Sequence, residues 1–95
     1  MIRVIYRWTI DAGSREPFIE EWERLTRWIR TEFDGSYGST LLESDEDSVL
    51  IGIARWASRS HLLAFRDQAG ALHLPGADLE SMELLAEIAH LTAEE

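Results

Sequence analysis

Few side chains in this sequence could do chemistry, and their spacing excludes several kinds of it. The three histidines, His61, His73 and His90, lack metal-ligand spacing, and no cysteine supplies a thiolate. No serine stands in a recognisable nucleophile elbow, and no glycine-rich motif could cradle a phosphate. Asp45, Glu46 and Asp47 lack the calcium-loop pattern and read as a solvated turn. Proton handling and aromatic contact remain. Tyr6 lies on the more apolar face of an extended segment, where a phenol needs a hydrogen-bond partner. His73, beside Pro75, is the best placed of the histidines to handle a proton, while His61 and His90 read as surface residues. Trp8 and Trp56 read first as structural fillers whose indole N–H finds a partner.

The elements that must hold these residues centre on Gly35 to Trp56. Two apolar runs flank the turn Ser44-Asp45-Glu46-Asp47-Ser48, the pattern of a hairpin with a loop of four or five residues. The second run is apolar on both faces, with Val49, Ile51 and Ile53 on one and Leu50, Gly52 and Ala54 on the other. Such a strand is covered on both sides. Helices can cover one face, and something else must cover the other.

Ile2 to Ile10 is the first strand, with Tyr6 and Trp8 on its apolar even face and Arg3, Ile5, Arg7 and Thr9 on a mixed odd face. A helix follows the Asp11 to Ser14 turn. Pro17 sits in its first turn, Ser14 or Glu16 is the candidate cap, and Gly35 suits its C-terminal end. Phe18, Trp22, Leu25, Ile29 and Phe33 form one stripe of that helix, and helical spacing reads as core rather than as a binding box. Ser58 caps a second helix to about Gln68, with Leu62, Phe65 and Ala69 inward and Gly70 ending it. Asp78 caps a third helical segment in which Leu79, Met82, Leu85 and Ala89 keep helical spacing, and the stretch 87–93 suits helix or strand. The order is close to a split βαβ, ferredoxin-like α+β plan with helices on one sheet face.

The chain has 95 residues, enough for one domain spanning 1–95, and its apolar fraction of 45% with four tryptophans fits a packed core. A net charge of −9 disfavours nucleic acid and anionic membrane as partners. No apolar run approaches a membrane span, and the first residues lack a signal-peptide plan, so the expected home is the cytoplasm. All nine basic residues are arginine, and asparagine is absent.

Tyr6-Arg7-Trp8, Gly13, Phe18, Trp22, the Gly-Ser-Tyr-Gly-Ser of 35–39, and Ala54-Arg55-Trp56 with Ser58-Arg59 resemble the antibiotic biosynthesis monooxygenase (ABM) family. The resemblance covers roughly residues 2 to 69 and implies a ferredoxin-like subunit that pairs through its open sheet face into a dimeric α+β barrel. It further implies a last strand after the second helix and a pocket between helices and sheet. Some members use that pocket to oxygenate aromatic polyketides without a cofactor. By that resemblance Tyr6 and His73 are candidate catalytic residues, and Trp8, Phe33, Trp56 and Phe65 candidate substrate contacts. No flavin, haem or metal is expected. Other branches degrade haem with an Asn on the first strand, a Trp in the second helix and a His beyond it. Tyr6 and Phe65 stand at the first two positions, and only His73 lies near the third.

Two functions stay open: an oxygenase acting on a small aromatic substrate, and a dimeric binding or assembly module without catalysis. A pocket wide enough for a bicyclic ring, with Tyr6 or a His at its wall, favours the first. One plugged by Trp8, Trp22 and Trp56 favours the second. A homodimer is expected through the face opposite the helices, where Val49, Ile51 and Ile53 would otherwise meet water beside Ile5 and Leu41. Arg3, Arg7 and Arg55 share that face, so Arg7 or Arg55 is expected to pair with Glu43 or with an acidic residue of the second copy.

Overall fold

Six elements follow one another as β1 (Ile2–Ile10), α1 (Arg15–Glu32), β2 (Ser36–Glu43), β3 (Val49–Trp56), α2 (Arg59–Ala69) and β4 (Ala77–Ala86). The computed structural model describes residues 1–70 and 74–91. The strands form one antiparallel sheet in the order β2-β3-β1-β4, with α1 and α2 packed on the same face. That is the ferredoxin-like α+β arrangement. No helix among the described residues is long and apolar enough to cross a membrane.

Alternation puts Val4, Tyr6, Trp8 and Ile10 of β1 toward the helices, beside Leu50, Gly52, Ala54 and Trp56 of β3. The core beneath the helices falls into two clusters. Trp8, Ile10, Phe18, Leu50, Leu74 and Ala77 make one, and Val4, Ala54, Trp56, Leu62 and Phe65 make the other. Tyr6 packs against both and stands at the gap between them.

The third helix expected from Asp78 is a strand. Opposite β1, Leu79 pairs with Trp8 and Ser81 with Arg7, so Glu80 is the extra residue of a bulge. The bulge puts Leu79 and Met82, three residues apart, on one face, and a spacing of three reads as helix. Leu85, placed with them by the helical reading, pairs with Arg3 on the outer face. The strand stops at Ala86; residues 87–91 form neither helix nor strand, and the rest of the ambiguous stretch lies outside the described residues.

The hairpin register also differs from the simple one. The Ser44 hydroxyl accepts from the Glu46 N–H at 3.1 Å and reaches the Val49 carbonyl at 2.9 Å, closing a loop that sets Glu43 opposite Leu50. Leu41 and Glu43 therefore face the helices, and Thr40 and Leu42 occupy the outer face. Glu43 hydrogen-bonds Arg15 at the start of α1, so it is not the partner of Arg7 or Arg55. Those arginines meet acids of their own chain. Arg7 binds Glu80 at 3.0 Å and approaches Glu46 at 3.6 Å, while Arg3 and Arg55 approach Glu87 at 3.3 and 3.5 Å.

Pro17 falls in the first turn of α1, but no side chain caps that helix, and it ends at Phe33 rather than at Gly35. Gly35, at φ 81°, turns the chain into β2. A Cβ there would sit 2.4 Å from His61, so only glycine allows α2 to close over this turn. The Ser58 hydroxyl caps α2, accepting from the His61 N–H.

Candidate active site

α1 and α2 span the sheet but do not fill the gap between the two core clusters. A cavity of ≈ 400 Å³ remains there, of a size that takes a small organic ligand. Its floor is the middle of β1 and β3, with Tyr6 and Gly52 paired across the strands between Trp8 and Trp56. Gly52 makes room for Trp8. A Cβ on it would stand 2.7 Å from the Trp8 ring, so its absence lets that indole lie across β3. The Tyr6 and Trp8 rings stack at 5.4 Å with 12° between planes.

α1 contributes Trp22, Leu25, Thr26 and Ile29 to the opposite wall. Of the helical stripe read as core, only Phe18 is fully buried; Trp22, Leu25 and Ile29 stay half-buried because they border the cavity. Ser36 and Ser39 of β2 add hydroxyls at one side, and Leu79 and Met82 of β4 close the other. Phe65 and Arg66 of α2 complete the wall, with Phe65 stacked on Trp56 at 5.1 Å.

Tyr6 is the phenol of this site. Burial pushes its pKa above the ordinary 10.0, and the Arg66 guanidinium offsets part of that rise through its charge and a hydrogen bond. Near neutral pH Tyr6 is therefore protonated and presents an O–H donor. Arg66 also directs Nη2 to the Met82 thioether sulfur at 3.0 Å. Among the described residues it is the one formally charged group on the cavity wall.

The structure brings Tyr6, Trp8, Trp56 and Phe65 to one cavity. Phe33 is not on its wall; it packs edge-on behind Phe65 at 4.9 Å and against Trp28 at 5.3 Å. His73 lies outside the described residues. His61 is held by the Ser58 hydroxyl, 2.7 Å from Nδ1, and His90 lies on the outer face, 3.3 Å from Arg3. Among the described residues no three His, Asp or Glu side chains gather closely enough to hold a metal ion. Reasoning from sequence alone passed over Arg66. Its spacing with Leu62, Phe65 and Ala69 places it on the inward face of α2, and that signal was legible.

A ferredoxin-like subunit with one helical layer, an outer sheet face left open by the described residues and an aromatic pocket between the layers is the class that this fold and cavity define. The family model for antibiotic biosynthesis monooxygenase matches residues 1–73, and the chain belongs to that family. Among solved structures it is similar to MhuD of Mycobacterium tuberculosis, a haem degrader with two haems bound in its active site. The TM-score is 0.77 at 15% identity, covering 97% of this chain and 100% of MhuD. It is also similar to SnoaB of Streptomyces nogalater, a cofactor-independent oxygenase, with a TM-score of 0.65 at 23% identity over 99% and 97% of the two chains. At these identities the likeness is one of fold. No curated protein matches the sequence significantly.

Proposed function

We propose that the protein is a cofactor-independent monooxygenase acting on a flat, electron-rich phenol or its keto tautomer, bound in the cavity between sheet and helices. The observation that carries this reading is the open cavity of ≈ 400 Å³ with the Tyr6 phenol on its floor, where three tryptophans border the space without plugging it. Family membership points the same way.

In this reading the substrate loses a proton to give a delocalised anion, which reacts with molecular oxygen at carbon. For an anthrone, one methylene and one O₂ become one carbonyl and one water, and the substrate supplies the electrons. Tyr6 is a hydrogen-bond donor to the substrate oxyanion, because a phenol with a raised pKa keeps its proton while the substrate gives one up. His73 is the proposed proton acceptor. Trp8, Trp56 and Phe65 hold the ring by stacking and keep water from the anion. Haem degradation is not favoured, since Tyr6 and Phe65 stand where the resemblance calls for Asn and Trp. The outer face is proposed to pair with a second copy.

Metal-free protein is expected to consume one equivalent of oxygen per anthrone in an oxygen-electrode assay. Tyr6→Phe should slow turnover roughly 100-fold, the usual cost of losing one oxyanion donor. Anthrone binding without any oxygen uptake would replace the oxygenase by a ligand-binding module.

A further inference from the structure

Arg66 is out of character with the wall that holds it. Among the described residues the lining is otherwise uncharged and mostly apolar, in a chain whose net charge is −9. Arg3, Arg7, Arg15, Arg24, Arg27 and Arg55 each have a carboxylate of their own chain as partner. Among the described residues Arg30, Arg59 and Arg66 have none, and of these three Arg66 alone lines the cavity. Beside Tyr6, its one hydrogen-bond partner among the described residues is the Met82 sulfur, and a thioether is a weak acceptor. A half-buried guanidinium loses part of its hydration, and that loss is ordinarily made good by an anion. This one lines the cavity with donors to spare.

We propose that Arg66 is the specificity residue of the cavity and that the substrate is a hydroxy-aromatic acid, its carboxylate held by the Arg66 fork and its adjacent oxygen by Tyr6. A planar guanidinium meets a carboxylate through two parallel N–H donors, a match that an amide or ester cannot reproduce. The two groups stand on neighbouring walls, Arg66 on α2 and Tyr6 on β1, with β4 and Met82 beside both. That favours acids whose carboxylate is ortho or peri to the reacting oxygen. Trp8 and Trp56 stay on the cavity wall, where their exposed edges meet the ring.

The inference rests on the cavity being the substrate site, and its test needs no turnover. Isothermal titration compares 3-hydroxy-2-naphthoate with 3-hydroxy-2-naphthamide, probes of one ring system and two charges. Wild-type protein should bind the acid about 10-fold or more tightly than the amide, the scale of a charge-assisted hydrogen bond. In Arg66→Gln the preference should fall to within about 2-fold while amide affinity is kept, which also shows that the cavity is intact. Arg66→Lys keeps the charge without the fork and should fall between. Equal binding of acid and amide by the wild type, or a preference that survives Arg66→Gln, overturns the assignment. Anthrone carries no carboxylate, so the two claims fail separately. Anthrone turnover without acid preference removes only the role of Arg66; an Arg66-dependent preference without oxygen uptake removes only the oxygenase.

Discussion

Tyr6 occupies the position where the two halves of the core fail to meet, and its ionisation is tied to that place. Its pKa lies above 10.0 because burial disfavours the phenolate, with Arg66 opposing. A group whose folded pKa is raised holds its proton longer in the native state than in the unfolded one. Its contribution is therefore complete below pH 10 and is lost as pH rises through the folded value. Urea unfolding of the wild type should show stability falling above pH 10, with a shallower fall in Tyr6→Phe. Identical slopes would show that the phenol is solvated. The candidate site was legible at this scale where chemistry and alternation agreed, as for Tyr6, Trp8 and Trp56 on the inward strand faces. Phe33 misled because a stripe of five apolar residues on α1 says which way they point and not how far each one reaches.

α2 brings Phe65 and Arg66 to the cavity, so the fixing of its first turn bears on the site. Ser58 does this with a hydroxyl that accepts from the His61 N–H and meets the His61 ring nitrogen at 2.7 Å. Ser58→Ala should cost about 1 kcal/mol, the usual loss of an N-cap, read as a lowered urea midpoint with an unchanged slope. A loss within error would assign the helix start to packing alone. β1, α1, β2, β3 and α2 were legible because periodicity and turn residues gave the same answer in each, although the caps expected for α1 do not form. β4 was not, because the bulge at Glu80 resets the alternation and puts Leu79 and Met82 at a helical interval. Pairing with β1 then overrides local pattern: Ala77, Leu79, Met82 and Leu84 all take the helix side of the sheet edge. The hairpin register was missed for a related reason, since a one-residue difference in loop closure exchanges the faces of Leu41 and Leu42.

Among the described residues the sheet has one face covered by helices and one that no helix covers. On the outer face Ile53 lies between Ile5 and Thr40, and Ile51 between Arg7 and Leu42. Leu42 and Leu85 are 42% and 43% exposed, and Ile5, Ile51 and Ile53 only half-buried. At one end of this face Glu87 is 12% exposed between Arg3 and Arg55. Burial pushes its carboxyl up, and the two guanidinium groups outweigh that, so its pKa lies below 4.5. The Nε atoms of Arg3 and Arg55 and the Glu87 Oε2 are buried with no hydrogen-bond partner among the described residues. Buried polar atoms ordinarily find partners, and a second sheet laid on this face could supply them while covering the isoleucines. Such a pairing should bury more than about 1,000 Å² in total, and wild-type protein should sediment as a dimer at micromolar concentration. Ile53→Arg places an unpaired charge at the centre of the row and should shift the species to monomer, leaving the helix-side core unchanged by circular dichroism. A wild-type chain that sediments as a monomer at that concentration refutes the pairing, and the outer face then stands as an exposed sheet surface with its arginines paired only within the chain.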